Sequence, residues 1–257
     1  MSQATKIEWS DETVNIVTGC EGVSPGCDHC YAATWAARGM GQWKGRDFGT
    51  VLCHEDRLAL LEKGAVGRRK FVCSMADLFH RAVPDAFLER AFLAFCAADR
   101  HTFQVLTKRP ERMRRFVRAF LDSHGPFYLS GLRNAHLGVS IESNDYAWRA
   151  DMLRETPAAV RWISAEPLLG PLDRVDLTGI SWVVVGGESG AGARPMDLAW
   201  AEDVVARCRA AAIPVFVKQL GKVAGKAAGA GNKGGEIAAF PEPLRVREFP
   251  MAVAACR

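Results

Sequence analysis

Cys20-Glu-Gly-Val-Ser-Pro-Gly-Cys27-Asp-His-Cys30-Tyr31 sets three thiols within eleven residues, just after the apolar run Val14–Val17. The Cys27–Cys30 half supplies two sulfur ligands from one tight turn, and the Ser24-Pro25-Gly26 bend returns Cys20 to the same ion. Thiolates suit zinc or an iron–sulfur cluster. A structural zinc takes four ligands. His29 and His54 are available as a fourth, and neither stands at a regular finger spacing. Three cysteines without a clear fourth point to a four-iron cluster whose open iron can bind a small chelating ligand. The other cysteines, Cys53, Cys73, Cys96, Cys208 and Cys256, are scattered. Cys73 and Cys96 stand in apolar stretches and read as core; Cys256 reads as incidental. A reducing cytosol argues against a disulfide framework.

Outward from the cysteines, short apolar runs recur: Val14–Val17, Phe71–Cys73, Phe103–Leu106, Ala135–Val139, Val160–Ile163, Trp182–Val185 and Pro214–Val217. Their β-branched and aromatic content predicts strands. Leu88–Ala97, Pro110–Leu121 and Leu198–Ala212 read as helices, with Pro110 in a first turn and Asp197 as a cap. Strands alternating with helices predict parallel βαβ units. The expected fold is α/β, a complete or partial (β/α) barrel with parallel strands. Chemistry in such folds gathers at the carboxyl ends of the strands. There the sequence places Thr18-Gly19-Cys20, Ser74-Met75-Ala76-Asp77, Thr107-Lys108-Arg109, Ser140-Ile141-Glu142, Ser164-Ala165-Glu166, Gly186-Gly187-Glu188-Ser189 and Lys218-Gln219. Ordinary loops favour Gly, Pro, Asn and Asp. This set favours Ser, Thr, Glu and Lys, and reads as an active-site rim.

The 257 residues are 49% apolar, enough for one large domain over 1–257. A net charge of +4 permits a nucleic-acid partner without demanding one. The polar start MSQATKIEWSDET shows no signal-peptide pattern, and no apolar run reaches the ~20 residues that span a bilayer. The expectation is a soluble, cytoplasmic protein with no membrane partner. A loop over about 18–49 carries the cysteines, with Gly39–Gly49 lying over the site. Gly221–Gly235 is Gly/Lys-rich and reads as flexible, ahead of a short tail at 236–257.

The cysteine loop resembles the three-cysteine motif of the radical SAM superfamily, although six residues separate the first pair here rather than the usual three. More closely, KIEWSDETVNIVTGCEGVSPGCDHCYA is similar to an often phage-encoded, largely uncharacterised radical SAM-like family with this CX6CXXC motif. The resemblance continues through SMADLFH, LTKRPERM, LGVSIES, ISAEPLLGPLD, VVVGGESG, VKQLG and RVREFP, so it covers most of the chain. It implies a 4Fe-4S cluster on Cys20, Cys27 and Cys30, with S-adenosylmethionine bound to it. Reductive cleavage of that cofactor would yield a radical that abstracts hydrogen from a substrate, as a lyase, transferase or isomerase. An external electron donor such as flavodoxin or ferredoxin is implied as well, and a protein partner is compatible with it.

In that superfamily a Gly-Gly-Glu-type stretch after the second strand often takes the cofactor's amino group. Here Ser74 or Asp77 stands in that place. The literal Gly186-Gly187-Glu188 follows the sixth strand, where it could let backbone approach the adenosyl moiety or simply make a tight turn. Ser140 and Glu142 follow the fourth strand, where a polar residue commonly contacts the ribose. Glu166, before Pro167, is a catalytic candidate as proton donor or substrate contact, with an ion pair to Arg161 or Arg194 as the structural alternative. Lys108, the second catalytic candidate, and Lys218 could neutralise a cofactor carboxylate or a substrate phosphate, or pair with a nearby Glu. His80 reads as structural.

The most basic stretch is Lys108–Arg118. On a helix, Arg114, Arg115 and Arg118 fall on adjoining faces, while Met113, Phe116, Val117 and Phe120 pack inward. Trp35, Trp43 and Phe48 flank the cysteine loop and could stack on a base. Together with the family's phage association, these point to modification or repair of a nucleic acid or nucleotide. The alternative is a non-catalytic, zinc-stabilised protein that binds nucleic acid or a phage host protein.

Overall fold

Ten strands order the chain in the computed structural model, which describes residues 3–125 and 132–250. They are β1 Gln3–Ala4, β2 Glu12–Val14, β3 Val17–Thr18, β4 Leu52–Cys53, β5 Arg69–Val72, β6 Thr102–Thr107, β7 Ala135–Ser140, β8 Val160–Ala165, β9 Trp182–Gly186 and β10 Val215–Gln219. The helices are α1 Tyr31–Ala36, α2 Asp85–Ala97, α3 Pro110–His124, α4 Trp148–Arg154, α5 Leu198–Ala210 and α6 Gly221–Ala227. β2, β5, β6, β7, β8, β9 and β10 are parallel neighbours in that order. β1 pairs antiparallel with β2 at one edge, and β3 with β4 form a separate pair. The final residues from 251, Cys256 among them, lie outside the described chain.

Alternation along the strands sorts two faces. Phe71, Trp162, Trp182, Val184 and Phe216 share one, while Val72, Val105, Val139, Ile163, Val183 and Val217 face the helices. α2 buries Phe87, Leu88, Phe92 and Phe95 against them, and α3 buries Met113, Phe116, Val117 and Phe120, as its periodicity predicts. Asp197 caps α5 by accepting from Ala199 N at 2.9 Å.

The first face is concave. Trp9, just before β2, touches Phe71 of β5, Trp162 of β8 and Trp182 of β9, with ring centroids 4.8, 5.3 and 6.2 Å away. Neighbouring strands lie ~4.8 Å apart, so a flat sheet would separate β5 from β9 by about 19 Å. One indole reaches both because the sheet curls. It does not close among the described residues. The segment around Arg247 lies antiparallel along β10 instead, with Val217 N to Val246 O and Glu248 N to Val215 O both at 2.9 Å. Each outer edge therefore has partners for its backbone groups, which removes the demand for closure. The result is the partial form of the expected barrel, an α/β half-barrel.

One expectation needs correction, and another segment gains detail. The Val14–Val17 run divides between β2 and β3, because the Asn15 side chain turns to accept from Ser74 Oγ and Met75 N at 3.2 and 3.0 Å. The Gly/Lys-rich segment contains α6 and a close backbone crossing. A Cβ on Gly225 would sit 2.2 Å from Gly234 Cα, so glycine here permits contact between chain segments. No helix of the described residues is long and apolar enough to cross a membrane.

Trp162 lies across Gly138 of β7, where a Cβ would come within 2.4 Å of its indole. Gly138→Ala is expected to lower the unfolding free energy by about 1–3 kcal/mol through overpacking. Urea denaturation would show this, and an unchanged midpoint would mean that the indole has room to move.

Candidate functional site

β2 and β3 deliver the chain to the carboxyl rim of the sheet, where Gly19 takes a φ of +95°. A Cβ there would meet Thr50 O at 2.2 Å, so glycine is required where the chain turns into the cysteine loop. Gly19 N donates to Met75 O at 3.0 Å and Cys20 N to Phe48 O at 2.8 Å. Cys20, Cys27 and Cys30 are free and partly buried. Among the described residues, no three His, Cys, Asp or Glu side chains converge as a ready metal cage. In kind, the donor set fits an iron–sulfur cluster: three free thiols on one loop, with an arginine beside the first.

Three strand ends brace this loop. After β5, Asp77 is buried and accepts from Phe79 N, Thr107 Oγ1, Lys108 N and Arg109 Nη1 at 2.9, 2.7, 3.0 and 3.1 Å. Arg109 reaches on to Cys20 Sγ at 3.7 Å and to Glu21 O at 3.1 Å. Burial, with Asp77 nearby, pushes the Cys20 thiol up, and Arg109 works against that rise. Ser74 presents its carbonyl to the Tyr31 hydroxyl.

After β7, Glu142 is 1% exposed and takes Ser24 Oγ at 2.5 Å, Arg149 Nη1 at 2.9 Å and Lys108 Nζ at 3.2 Å. Gly26 leaves room for it, since a Cβ there would lie 2.4 Å from Glu142 Oε1. Ser140 is buried alongside, its carbonyl accepting from Arg149 at 2.8 Å.

After β9, Glu188 accepts from His29 Nδ1 at 2.9 Å, from Arg194 N at 2.8 Å and from the Arg194 guanidinium. Arg194 also donates to Pro25 O at 2.7 Å. Burial alone would raise the Glu188 carboxyl. The hydrogen bonds from Arg194 and His29 outweigh it and bring the carboxyl down to about 2. Gly187 lets backbone meet backbone, because a Cβ would be 2.7 Å from Leu220 O.

A fourth group spans β8 to β10. Glu166 pairs with Lys218 at 2.9 Å, rather than with Arg161 or Arg194. Arg161 Nε is bonded to Thr156 O and Arg194 is held by Glu188. Gly186 makes the space, since a Cβ there would lie 2.6 Å from Glu166 Oε1.

A family profile described as "Protein of unknown function (DUF5131)" matches residues 4–241. The chain belongs to that family. No curated protein matches it significantly. Among solved structures, this DUF5131 member is similar to spore photoproduct lyase complexed with dinucleoside spore photoproduct. Identity is 15% and the TM-score 0.50, over 72% of this chain and 58% of that one. A cysteine variant of that lyase matches at 16% identity and a TM-score of 0.49. Another variant, with bound AdoMet and dinucleoside spore photoproduct, matches at 14% and 0.46. The DUF5131 chain thus spans 58% of the length of those proteins. The likeness is one of fold, that of an α/β half-barrel of parallel strands.

The basic helix face of this DUF5131 protein is largely engaged internally. Arg112 meets Asp85, and both Arg114 and Arg118 meet Glu155. Trp43 is buried with Arg46 over its ring at 4.4 Å and Phe48 packed beside it at 5.6 Å, whereas Trp35 is exposed. The bracing roles of Ser24, Arg109, Arg149 and Arg194 escaped sequence reasoning. Only Arg109 gave a signal, by its place at a strand end.

Glu188 titrates at about 2 in the fold against an ordinary 4.5. Its pairing stabilises the fold fully above about pH 4.5, and that contribution is lost as pH falls towards 2. A lowering of this size corresponds to about 3 kcal/mol. Wild type is expected to lose more stability than Glu188→Gln between pH 5 and pH 2, as read from thermal melts of both at stepped pH.

Proposed function

We propose that the chain is a radical SAM enzyme, with a 4Fe-4S cluster on Cys20, Cys27 and Cys30 and S-adenosylmethionine on the open iron. One observation carries this reading: three free thiols on a braced loop at the carboxyl rim of a parallel α/β half-barrel similar in fold to spore photoproduct lyase. When bound, the cluster and its cofactor supply a reductively generated radical that takes hydrogen from the substrate.

The chain's own residues hold and orient. Arg109, fixed by Asp77, sets positive charge against the Cys20 sulfur and offsets the repulsion of gathered thiolates. Glu142 with Ser24, and Glu188 with Arg194, order the loop before anything binds, which lowers the entropy cost of binding. Lys108 keeps Glu142 in place. Ser74, Ser140 and the Gly186-Gly187 backbone are the proposed cofactor contacts. Glu166 and Lys218 offer an acceptor and a donor side by side, suited to a substrate's polar group or to a moving proton.

The proposed substrate is a nucleic acid or nucleotide. Support comes from the basic charge balance, from exposed aromatics beside the rim, and from the dinucleoside spore photoproduct held by a solved lyase of the same fold. Flavodoxin or ferredoxin is the proposed electron donor. A closed zinc site would need a fourth ligand, from the ring nitrogen that His29 or His54 leaves over. His54 Nε2 is bonded to Thr18 Oγ1 at 2.8 Å, and His29 Nδ1 to Glu188 at 2.9 Å.

Anaerobic reconstitution is expected to give about four irons per chain, absorbance near ~400 nm, and S-adenosylmethionine cleavage on reduction. Cys27→Ser is expected to lose both iron and cleavage while keeping its thermal transition. Arg109→Gln is expected to release iron faster to a chelator. A colourless protein with one zinc would overturn the reading.

A further inference from the structure

We propose that the exposed face of α1, with the turn that follows it, is a base-stacking platform for single-stranded nucleic acid at the rim. This deepens the substrate class just proposed and rests on that reading.

Tyr31 and Trp35 are four residues apart on α1 and so share a face. They are 53% and 52% exposed, and Met40 just beyond is 59% exposed. The residues α1 buries are Ala32 and Ala36. A helix that docks for stability does the reverse, hiding its rings and showing small or polar residues. Large flat side chains left in water side by side mark a surface that meets a partner.

The rings are also aimed and held. The Tyr31 hydroxyl donates to the Ser74 carbonyl at the end of β5, which ties the platform to the rim directly after Cys30. Arg38 lies over the Trp35 ring at 4.5 Å, a cation–π contact that steadies the indole.

Charge selects the partner. From Tyr31 to Lys44 the chain carries exposed Arg38 and Lys44 and no acidic residue, while Arg46 beyond them is engaged by Thr18 and Thr50. Basic groups among exposed rings match a phosphate backbone with accessible bases. A duplex hides its base faces, so the strand must be single. An acidic electron-transfer protein would answer the charge and leave both rings without a role.

The test uses the full reconstituted chain with a fluorescein-labelled oligothymidylate, read by anisotropy at rising salt, beside the same strand in a duplex. The single strand is expected to bind more tightly than the duplex and to weaken with salt. Trp35→Ala is expected to weaken it about tenfold or more, and Trp35→Phe to restore most of the loss. Arg38→Ala is expected to weaken binding and flatten the salt dependence. Circular dichroism melts confirm that the surface variants fold. Equal binding by Trp35→Ala and wild type, preference for the duplex, or binding of an acidic flavodoxin with none of the oligonucleotide would overturn the proposal. Wild-type S-adenosylmethionine cleavage, measured alongside, separates the two readings. Cleavage without Trp35-dependent binding removes the platform alone. Binding without cleavage removes the enzyme reading and leaves the platform standing.

Discussion

Trp9 sits between the two halves of the sheet, in contact with Phe71, Trp162 and Trp182 at once, and the curl follows from the need to bury it. Burying an indole of this size dominates a local core. Its backbone is fixed as well, since Gln104 Nε2 donates to Trp9 O at 3.0 Å. These contacts fall in the amino-terminal and middle parts of the strands. Aromatic packing therefore fills the lower concave face and leaves the carboxyl ends for polar residues. The edge segments on β1 and beside β10 keep the curl from closing. An open rim above a packed floor is the geometry that every functional residue inherits.

Across that rim the cysteine loop has no apolar anchor, for none of the residues from Cys20 to Cys30 is buried. Polar bonds must hold it. Sinking carboxylates such as Asp77, Glu142 and Glu188 is costly unless each is paired and hydrogen-bonded. Here each accepts from at least three donors. Such networks add little net stability compared with apolar packing. Their effect is positional: they hold a loop at a defined place without filling the space around its sulfurs. Asp77 in particular is saturated by backbone, threonine and arginine, so it acts on the loop through Arg109.

The strands were legible because a parallel sheet covered on both faces writes each one as a continuous apolar run. The rim residues were legible by type, as Ser, Thr, Glu and Lys where turns usually place Gly, Pro, Asn and Asp. Their partners were not. Glu166 meets Lys218 across 52 positions of sequence, and Glu142 meets Ser24 across 118. No local pattern encodes such pairs. The degree of closure was hidden for the same reason, because it turns on Trp9 and on the strip beside β10. At 221–235 composition did not reveal the close approach of Gly225 to Gly234 that the glycines make possible.

The six-residue gap between Cys20 and Cys27 gains a physical reason from these bonds. Ser24 meets Glu142, the Pro25 carbonyl meets Arg194, and Gly26 clears the Glu142 carboxylate. All three lie inside the gap. An extended residue spans at most ~3.3–3.6 Å, so a three-residue gap would lose about 10 Å of reach and the residues that make these bonds. The added length lets the loop touch the ends of β7 and β9 as well as those of β5 and β6. In a closed barrel, neighbouring strand ends could brace one another across the rim. In this open one, the cysteine loop connects them, and its length is matched to the sheet that failed to close.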